Sequence, residues 1–159
     1  IEERVSVVIM TLLSTLVGEI MRKIDKSKQK TLIIDEARII IGTSAGNEMI
    51  NDVALLGRSM NMATILITQS PEHLRVNGQE SKLDNSIATR IAFRNPSTHD
   101  NKITVQSMGL PAEDEWDKLI PELSTGQCLM KDCHKNTGVV NIIAPQRYAD
   151  AFNTNPMIK

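Results

Sequence analysis

The sequence predicts an α/β domain built on a mainly parallel sheet that is flanked by helices. Two short, continuous apolar runs, TLII (31–34) and ATILIT (63–68), have the pattern of strands covered on both faces. Helical and strand patterns alternate through the first two-thirds of the chain, which favours parallel strands joined by helices. Near the end, GQCLMK (126–131) and VVNIIA (139–144) flank DCHKNTG, a pattern that predicts a C-terminal β-hairpin.

Length, composition and charge describe one ordinary globular domain. The chain has 159 residues, 41% of them hydrophobic and 23% charged, and we expect residues 1–159 to form a single domain. Lys and Arg number 18 and Asp and Glu number 19, so the net charge of −1 excludes a strongly basic nucleic-acid-binding domain. Two cysteines and no signal peptide favour a reducing cytosol. Because the chain begins IEERV without an initiator Met, we interpret it as part of a longer protein.

The first segment predicts a mostly buried amphipathic helix. Residues 5–17 carry no charge, but polar side chains at helical spacing form one stripe, and charges at positions 4, 19 and 22 bound the segment. A membrane span needs about 20 predominantly apolar residues, so this segment is not predicted to cross a membrane. DKSKQK (25–30) is a charged, solvated connector to the first strand.

Local signals predict short elements around and after the second strand. GTSAGN (42–47) is a loop, an amphipathic helix covers 45–61, and residues 71–80 form a loop with one helical turn in which His73 is solvated. A short helix over 83–89 leads into a third strand, RIAFR (90–94).

Helix-capping signals follow the third strand. Ser97 or Thr98 can cap a helix that runs to about Ser107. Pro111 suits the first turn of a further short helix, and the tail from residue 146 predicts a short helix followed by loose chain.

Two adjacent carboxylates, Asp35 and Glu36, follow the first predicted strand directly. Ligands of open parallel sheets bind beyond the carboxyl ends of the strands, where this pair lies. Mg²⁺ favours carboxylate, water and phosphate oxygens, and phosphoryl transfer needs mainly positioning and charge stabilisation. The pair therefore suits a magnesium–nucleotide site in which one carboxylate holds the metal and the other orients a nucleophile. A solvated strand end is the alternative interpretation.

A glutamine and an arginine extend this candidate site. Gln69 follows the second predicted strand, and neighbouring parallel strands would bring it near Glu36. Its amide can both donate and accept hydrogen bonds, so it can sense a phosphate or orient a water. Arg58 lies near the end of the predicted helix, where it either interacts favourably with the helix dipole or reaches the nucleotide of a neighbouring subunit.

Several stretches together resemble a known family. IIDEA, LLGRSMNMATILITQSPEHL, NSIATRIAFR and LSTGQCLMKD followed by GVVNI are similar to the C-terminal part of the ATPase domain of conjugative type IV secretion ATPases, which are related to FtsK- and HerA-type P-loop proteins. The resemblance covers roughly residues 5–145, and the acidic strand and the GRS…ILITQS segment are its most specific parts. It implies a RecA-like P-loop fold, ATP and Mg²⁺ as cofactors, and assembly into hexamers.

The resemblance also implies residue roles. Asp35 would coordinate Mg²⁺ through water, Glu36 would polarise the attacking water, and both would contact the cofactor. Gln69 would sense phosphate, and Arg58 would act as a finger in trans, with Arg90 and Arg94 as the next candidates for that role. Arg38 departs from the family, which more often has an aromatic residue after DEA, and we expect a consequence for packing there.

One motif that the family requires is missing. G-x-x-x-x-G-K-[ST], the loop that cradles the phosphates, occurs nowhere in the 159 residues. GTSAGN (42–47) has two glycines but no Lys-Ser/Thr pair, and it follows the acidic strand instead of preceding it. We expect the true loop to lie upstream, so this chain alone is predicted to be almost inactive.

The leading functional hypothesis is therefore the C-terminal part of an ATPase that energises a conjugative type IV secretion system. Its expected partners are further copies of itself and other secretion subunits at the membrane, with DNA as a further candidate. Its expected location is the cytoplasm, in peripheral association with the membrane. The alternatives are a DNA translocase or coupling protein of the same superfamily, and a non-catalytic interaction domain.

Overall fold

A computed structural model of the chain describes residues 2–41, 46, 50–53, 57–76, 79–80, 86–111 and 114–147. The chain divides into two compact units, Ile1–Ile87 and Ala88–Lys159. Within the described residues, no helix is both long and apolar enough to span a membrane. The prediction of a single domain stays a prediction, and the two units are described separately below.

The first unit is organised around a parallel pair of strands. It contains α1 (Glu2–Lys23), β1 (Lys30–Ile34), α2 (Ala37–Ile41) and β2 (Met62–Leu66). β1 pairs with β2 in parallel, from Lys30 opposite Met62 to Ile34 opposite Leu66. The predicted parallel arrangement of the two apolar runs is therefore confirmed, and the carboxyl ends of both strands lie at the same edge.

The segment between the two strands is partly helical, as predicted. Residues 46 and 50–53 are helical, so Gly46 does not lie in the predicted loop, and the rest of 42–49 lies outside the described residues. A 3₁₀ helix, Arg58–Met60, leads into β2. Gly57 precedes it at a close approach, because a Cβ there would lie 2.9 Å from the Val53 carbonyl oxygen.

One apolar cluster holds the first unit together. Ile34, Ala37, Ile50 and Leu74 are buried in it, and partly buried apolar side chains pack around them (Leu32, Ile40, Ile41, Leu66, Ile87). The cluster covers one face of the strand pair only. On the other face Ile33 is 61% exposed, and Ile65 is exposed too, so the prediction that both faces are covered is wrong for the described residues.

The first helix forms as predicted, but its apolar face is not buried. α1 spans Glu2–Lys23, and six of its apolar side chains are open to solvent (Val8, Ile9, Leu12, Leu13, Leu16, Ile20), while Val17 is half-buried. Helical periodicity predicts that one face avoids water, but it does not identify the surface that covers that face.

After β2 the first unit ends in small elements. A 3₁₀ helix, Pro71–Leu74, is the predicted helical turn, and β3 (Arg75–Val76) pairs antiparallel with β4 (Gln79–Glu80). Ser86 is helical and residues 88–89 are not, while residues 81–85 of the predicted short helix lie outside the described residues.

The second unit is an antiparallel sheet with two helices. β5 (Arg90–Phe93), β6 (Gln127–Lys131) and β7 (Thr137–Asn141) form the sheet in that order, and both pairings are antiparallel. The predicted third strand and C-terminal hairpin are confirmed. β5 does not extend the parallel pair, because its hydrogen-bonding partner is the hairpin strand β6.

The longer helix of the second unit begins and ends at recognisable caps. α3 (Thr98–Ser107) has Ser97 as its N-cap, as predicted, and Gly109 (φ 61°) ends it in a Schellman motif, in which the Gly109 and Leu110 N–H groups donate to the carbonyls of Gln106 and Val105. α4 covers Trp116–Leu119, so it starts later than the predicted helix and Pro111 lies outside it.

The core of the second unit lies between these helices and the sheet. Val105, Met108, Ile120, Leu123 and Leu129 are buried in one cluster, and Trp116 packs against it. A 3₁₀ helix, Ile120–Glu122, continues α4 and places Ile120 in this core. In the predicted C-terminal helix, residues 146–147 are helical and 148–159 lie outside the described residues.

Candidate active site

The acidic pair forms a tight turn between β1 and α2. Asp35 is exposed, and Glu36 is half-buried in a left-handed backbone conformation (φ 51°). Asp35 Oδ1 accepts the Glu36 N–H at 2.9 Å, and the Ala37 N–H donates to the Ile67 carbonyl at 2.9 Å. The turn stops the strand after Ile34 and fixes both carboxylates at the carboxyl edge of the pair.

Gln69 meets Glu36 at this edge. It follows β2 by three residues, and its Nε2 donates a hydrogen bond of 2.7 Å to Glu36 Oε1. The predicted proximity of these two side chains is confirmed. Because an amide also has an accepting oxygen, Gln69 can hold Glu36 with its nitrogen and offer its carbonyl to a bound water.

The same apolar cluster fixes both sides of the contact. Ile34 and Ala37 flank the acidic turn, and Leu74 closes the 3₁₀ helix that follows Gln69; all three are buried in the core of the first unit. The backbone ladder is continuous as well, because the Ile67 N–H donates to the Ile34 carbonyl at 2.9 Å. The carboxylate and the amide are therefore positioned by shared packing.

A histidine that the sequence placed in solvent belongs to this loop. His73 is half-buried, and its Nδ1 lies 2.9 Å from Thr68 Oγ1. The prediction of a solvated His73 is wrong, because the 3₁₀ helix turns its ring back toward the end of β2. The available signal was the Ser-Pro pair, which starts a helical turn two residues after Thr68, the last residue of the predicted strand.

The candidate arginine fingers are not brought to this contact. Arg58 begins the 3₁₀ helix that precedes β2, at the amino end of the strand, whereas Gln69 follows its carboxyl end. Arg90 lies at the start of β5 and Arg94 directly after its end, in the second unit. Arg38 is exposed on α2, and the expected consequence for packing stays a prediction.

The donor set suits a magnesium ion that also binds a ligand's phosphates. Among the described residues, no group of three or more His, Cys, Asp or Glu side chains surrounds a common point. Mg²⁺ is commonly held by one or two carboxylates while water and substrate phosphates complete its shell. Asp35 and Glu36 provide such a pair, and the exposure of Asp35 leaves room for a bridging water.

Chemically, the arrangement can orient and polarise a water molecule. Glu36 offers a carboxylate that an amide donor holds in place, and Asp35 offers a second negative charge one residue away. A carboxylate within hydrogen-bonding reach of a water can accept its proton.

Comparisons with known proteins identify related chains. A family described as an AAA-like domain matches residues 1–146. No curated protein matches the chain. Among solved structures, the genome packaging NTPase B204 from Sulfolobus turreted icosahedral virus 2 is similar in its complex with AMPPCP, with a TM-score of 0.49 and 19% identity over 72% of this chain and 53% of that one.

The same viral protein is matched in two further complexes. In complex with ATP-gammaS it gives a TM-score of 0.49 and 19% identity over 72% of this chain and 52% of that one. In complex with AMP the TM-score is 0.47 and the identity 19%, over 72% and 53% of the two chains. The chain thus spans about half the length of these solved structures.

Proposed function

The chain belongs to the AAA-like domain family, and from this premise we propose that it is the C-terminal part of an ATPase that energises a conjugative type IV secretion system. The observation that carries the proposal is the 2.7 Å hydrogen bond from Gln69 to Glu36 at the carboxyl edge of a parallel strand pair. Two acids at this edge, joined to a glutamine from the neighbouring strand, suit the hydrolysis of a nucleoside triphosphate.

Each side chain of the site has a distinct proposed role. Glu36 accepts the proton of the attacking water at its carboxylate, and Gln69 holds Glu36 in position. The Gln69 carbonyl oxygen accepts a hydrogen bond from the water, or its second Nε2 hydrogen donates to a phosphate oxygen. Asp35 would hold Mg²⁺. When bound, the metal ion neutralises the phosphate charge that develops during transfer.

The phosphate-binding loop belongs to a segment outside these 159 residues. No G-x-x-x-x-G-K-[ST] motif occurs in the chain, and such a loop supplies most contacts to a nucleotide. We therefore expect the 159-residue chain by itself to bind ATP weakly and to hydrolyse almost none. Substantial turnover by the chain alone would contradict this assignment.

Assembly and location follow from the same proposal. A finger supplied by Arg58 to another copy requires contact between neighbouring copies, and a hexameric ring is the proposed form. Other secretion subunits hold the ring at the cytoplasmic side of the membrane, and DNA is a proposed partner. Supporting this arrangement, Arg58 lies at the opposite end of β2 from Gln69, so it is placed away from its own acidic turn.

Substitution of Glu36 tests the catalytic proposal. In the longer protein, Glu36→Gln keeps the size and the hydrogen-bonding reach of the side chain but removes its basicity. We expect ATP turnover to fall by about 10²- to 10⁴-fold, the usual contribution of a general base, while binding of a fluorescent ATP analogue persists. Glu122→Gln, at an exposed position in the second unit, is the matched control and should leave turnover unchanged.

The outcomes separate the alternatives. If Glu36→Gln retains turnover within a few-fold of the wild type, the catalytic assignment fails and a non-catalytic interaction domain is the better hypothesis. If turnover falls and duplex DNA strongly stimulates the wild-type reaction, a DNA translocase or coupling protein replaces the secretion ATPase.

A further inference from the structure

We propose that His73 and Thr68 form a clamp that positions Gln69 against Glu36. The proposal rests on the proposed function, since it assigns to His73 an influence on turnover that acts through Gln69. The clamp is the hydrogen bond of 2.9 Å between Thr68 Oγ1 and His73 Nδ1, which joins the residue before Gln69 to the 3₁₀ helix after it.

The single proton of the Thr68 hydroxyl determines which partner donates in the hydrogen bond between Thr68 and His73. The Thr68 hydroxyl also lies 3.2 Å from the Ser70 carbonyl oxygen, which can only accept a hydrogen bond. A hydroxyl has a single proton, so Thr68 donates to Ser70, and the proton between Thr68 and His73 belongs to the ring. His73 is therefore protonated at Nδ1 and donates to Thr68.

The loop around Gln69 is closed on itself by further hydrogen bonds. Ser70 caps the 3₁₀ helix, because its Oγ accepts the Glu72 N–H at 3.3 Å. The Ser70 carbonyl also accepts the His73 N–H at 3.3 Å. Both neighbours of Gln69 are thus tied to the residues that follow, whereas the exposed Gln69 side chain is directed to Glu36.

In this loop, one side chain packs in the core and a different one positions Gln69. Leu74 is buried in the apolar core and anchors the 3₁₀ helix, whereas the His73 ring is only half-buried. The ring instead restricts the six-residue segment from Thr68 to His73 to one conformation. A misplacement of about 1 Å can lower a rate by as much as about 100-fold, so a clamp on this loop affects turnover more than stability.

Three single variants test the clamp in the longer protein. His73→Leu removes the donor, Thr68→Val removes the acceptor with almost no change in shape, and His73→Asn keeps an N–H close to the Nδ1 position. We expect the first two to lower kcat for ATP by about 10- to 100-fold with little change in KM, and His73→Asn to recover most of kcat. His99→Leu, at an exposed position in the second unit, should have no effect.

Two combined variants distinguish positioning from structure. If His73 acts through Gln69, adding His73→Leu to Gln69→Ala should cause no further loss of kcat, and Thr68→Val with His73→Leu should be no worse than either alone. Additive losses in either combination, or no recovery in His73→Asn, would overturn the clamp.

A spectroscopic measurement tests the contact without relying on hydrolysis. In the ¹⁵N NMR spectrum of the same protein, the His73 ring should show protonated Nδ1, and Thr68→Val should shift that resonance. A ring protonated at Nε2 alone, or one that does not respond to Thr68→Val, would contradict the clamp. If Glu36→Gln and Gln69→Ala both retain turnover, the proposed function fails while the NMR result still stands. If both abolish turnover and His73→Leu does not lower it, the clamp alone fails.

Discussion

Glu36, the proposed catalytic carboxylate, has an unfavourable backbone conformation. Its φ of 51° lies in the left-handed region, which costs a residue with a Cβ about 1–2 kcal/mol. The conformation persists because Ile34 and Ala37, on either side, are buried in the same cluster. Such residues are found where the surrounding structure dictates a geometry that function uses.

A pair of substitutions measures this backbone cost. Glu36→Gly and Glu36→Ala both remove the carboxylate and its hydrogen bond to Gln69, but only glycine adopts positive φ without a steric penalty. We expect the glycine variant to have a free energy of unfolding about 1 kcal/mol higher than the alanine variant, measured by urea denaturation. Equal stabilities would show that the turn is not left-handed.

One carboxylate accepts several hydrogen bonds within the turn of the C-terminal hairpin. Asp132 Oδ1 accepts the N–H groups of His134 and Asn136, each at 2.8 Å, and Oδ2 accepts from Asn136 Nδ2 at 2.8 Å. These hydrogen bonds, chiefly that from the Asn136 side chain, lower the pKa of Asp132 below its ordinary value of 3.8.

The sign of the pH dependence follows from this lowered pKa. A carboxyl group whose pKa is lower in the folded state contributes stability above its unfolded pKa and loses it as the pH falls through the folded pKa. We therefore expect the hairpin to weaken as the pH falls below about 4, measured by amide hydrogen exchange on β6 and β7. Asp132→Asn should remove this pH dependence, and an identical dependence in the variant would contradict the assignment.

Truncation of two leucines tests which elements contribute buried side chains to a core. Leu12, on α1, is 65% exposed, whereas Leu129, on β6, is 0% exposed. We expect Leu129→Ala to lower the free energy of unfolding by about 2–5 kcal/mol, the usual cost of truncating a buried leucine, and Leu12→Ala to change it by less than about 0.5 kcal/mol. The measurement is chemical denaturation of the two variants. A cost for Leu12→Ala as large as that for Leu129→Ala would show that another surface covers α1.

Comparison of these elements shows what sequence patterns can predict. The Ser97 cap, the parallel pair and the C-terminal hairpin were predictable because each depends on neighbours in the chain or on a continuous apolar run. The exposed face of α1 and the antiparallel partner of β5 were not, since periodicity does not specify which distant surface an element meets.

In the candidate site too, the sequence predicted one contact and missed another. Parallel pairing sufficed to predict the contact between Gln69 and Glu36, because it places successive strand ends at one edge. The hydrogen bond between His73 and Thr68 depends on how a six-residue segment turns, and no periodic pattern predicts that geometry.

At the scale of the whole molecule, the position of Arg58 relative to Gln69 predicts cooperation between copies. The two residues lie beyond opposite ends of β2, a strand of five residues that spans about 16 Å at the usual rise. An arginine at the amino end of the strands is poorly placed to reach a nucleotide at their carboxyl edge in its own copy. A neighbouring copy in a head-to-tail ring can instead bring its Arg58 to that edge.

Mixing two inactive variants of the longer protein tests this geometry. Glu36→Gln copies retain Arg58, and Arg58→Ala copies retain Glu36, so a ring containing both variants has sites where an intact Glu36 faces an intact Arg58 from its neighbour. With random mixing in equal amounts, about one quarter of the sites are of this kind, because heterologous contacts join each copy to the next. We expect ATP turnover to reappear on mixing and to be absent from either variant alone. If the arginine acts within its own copy, no site in the mixture is complete, and the mixture stays as inactive as its components.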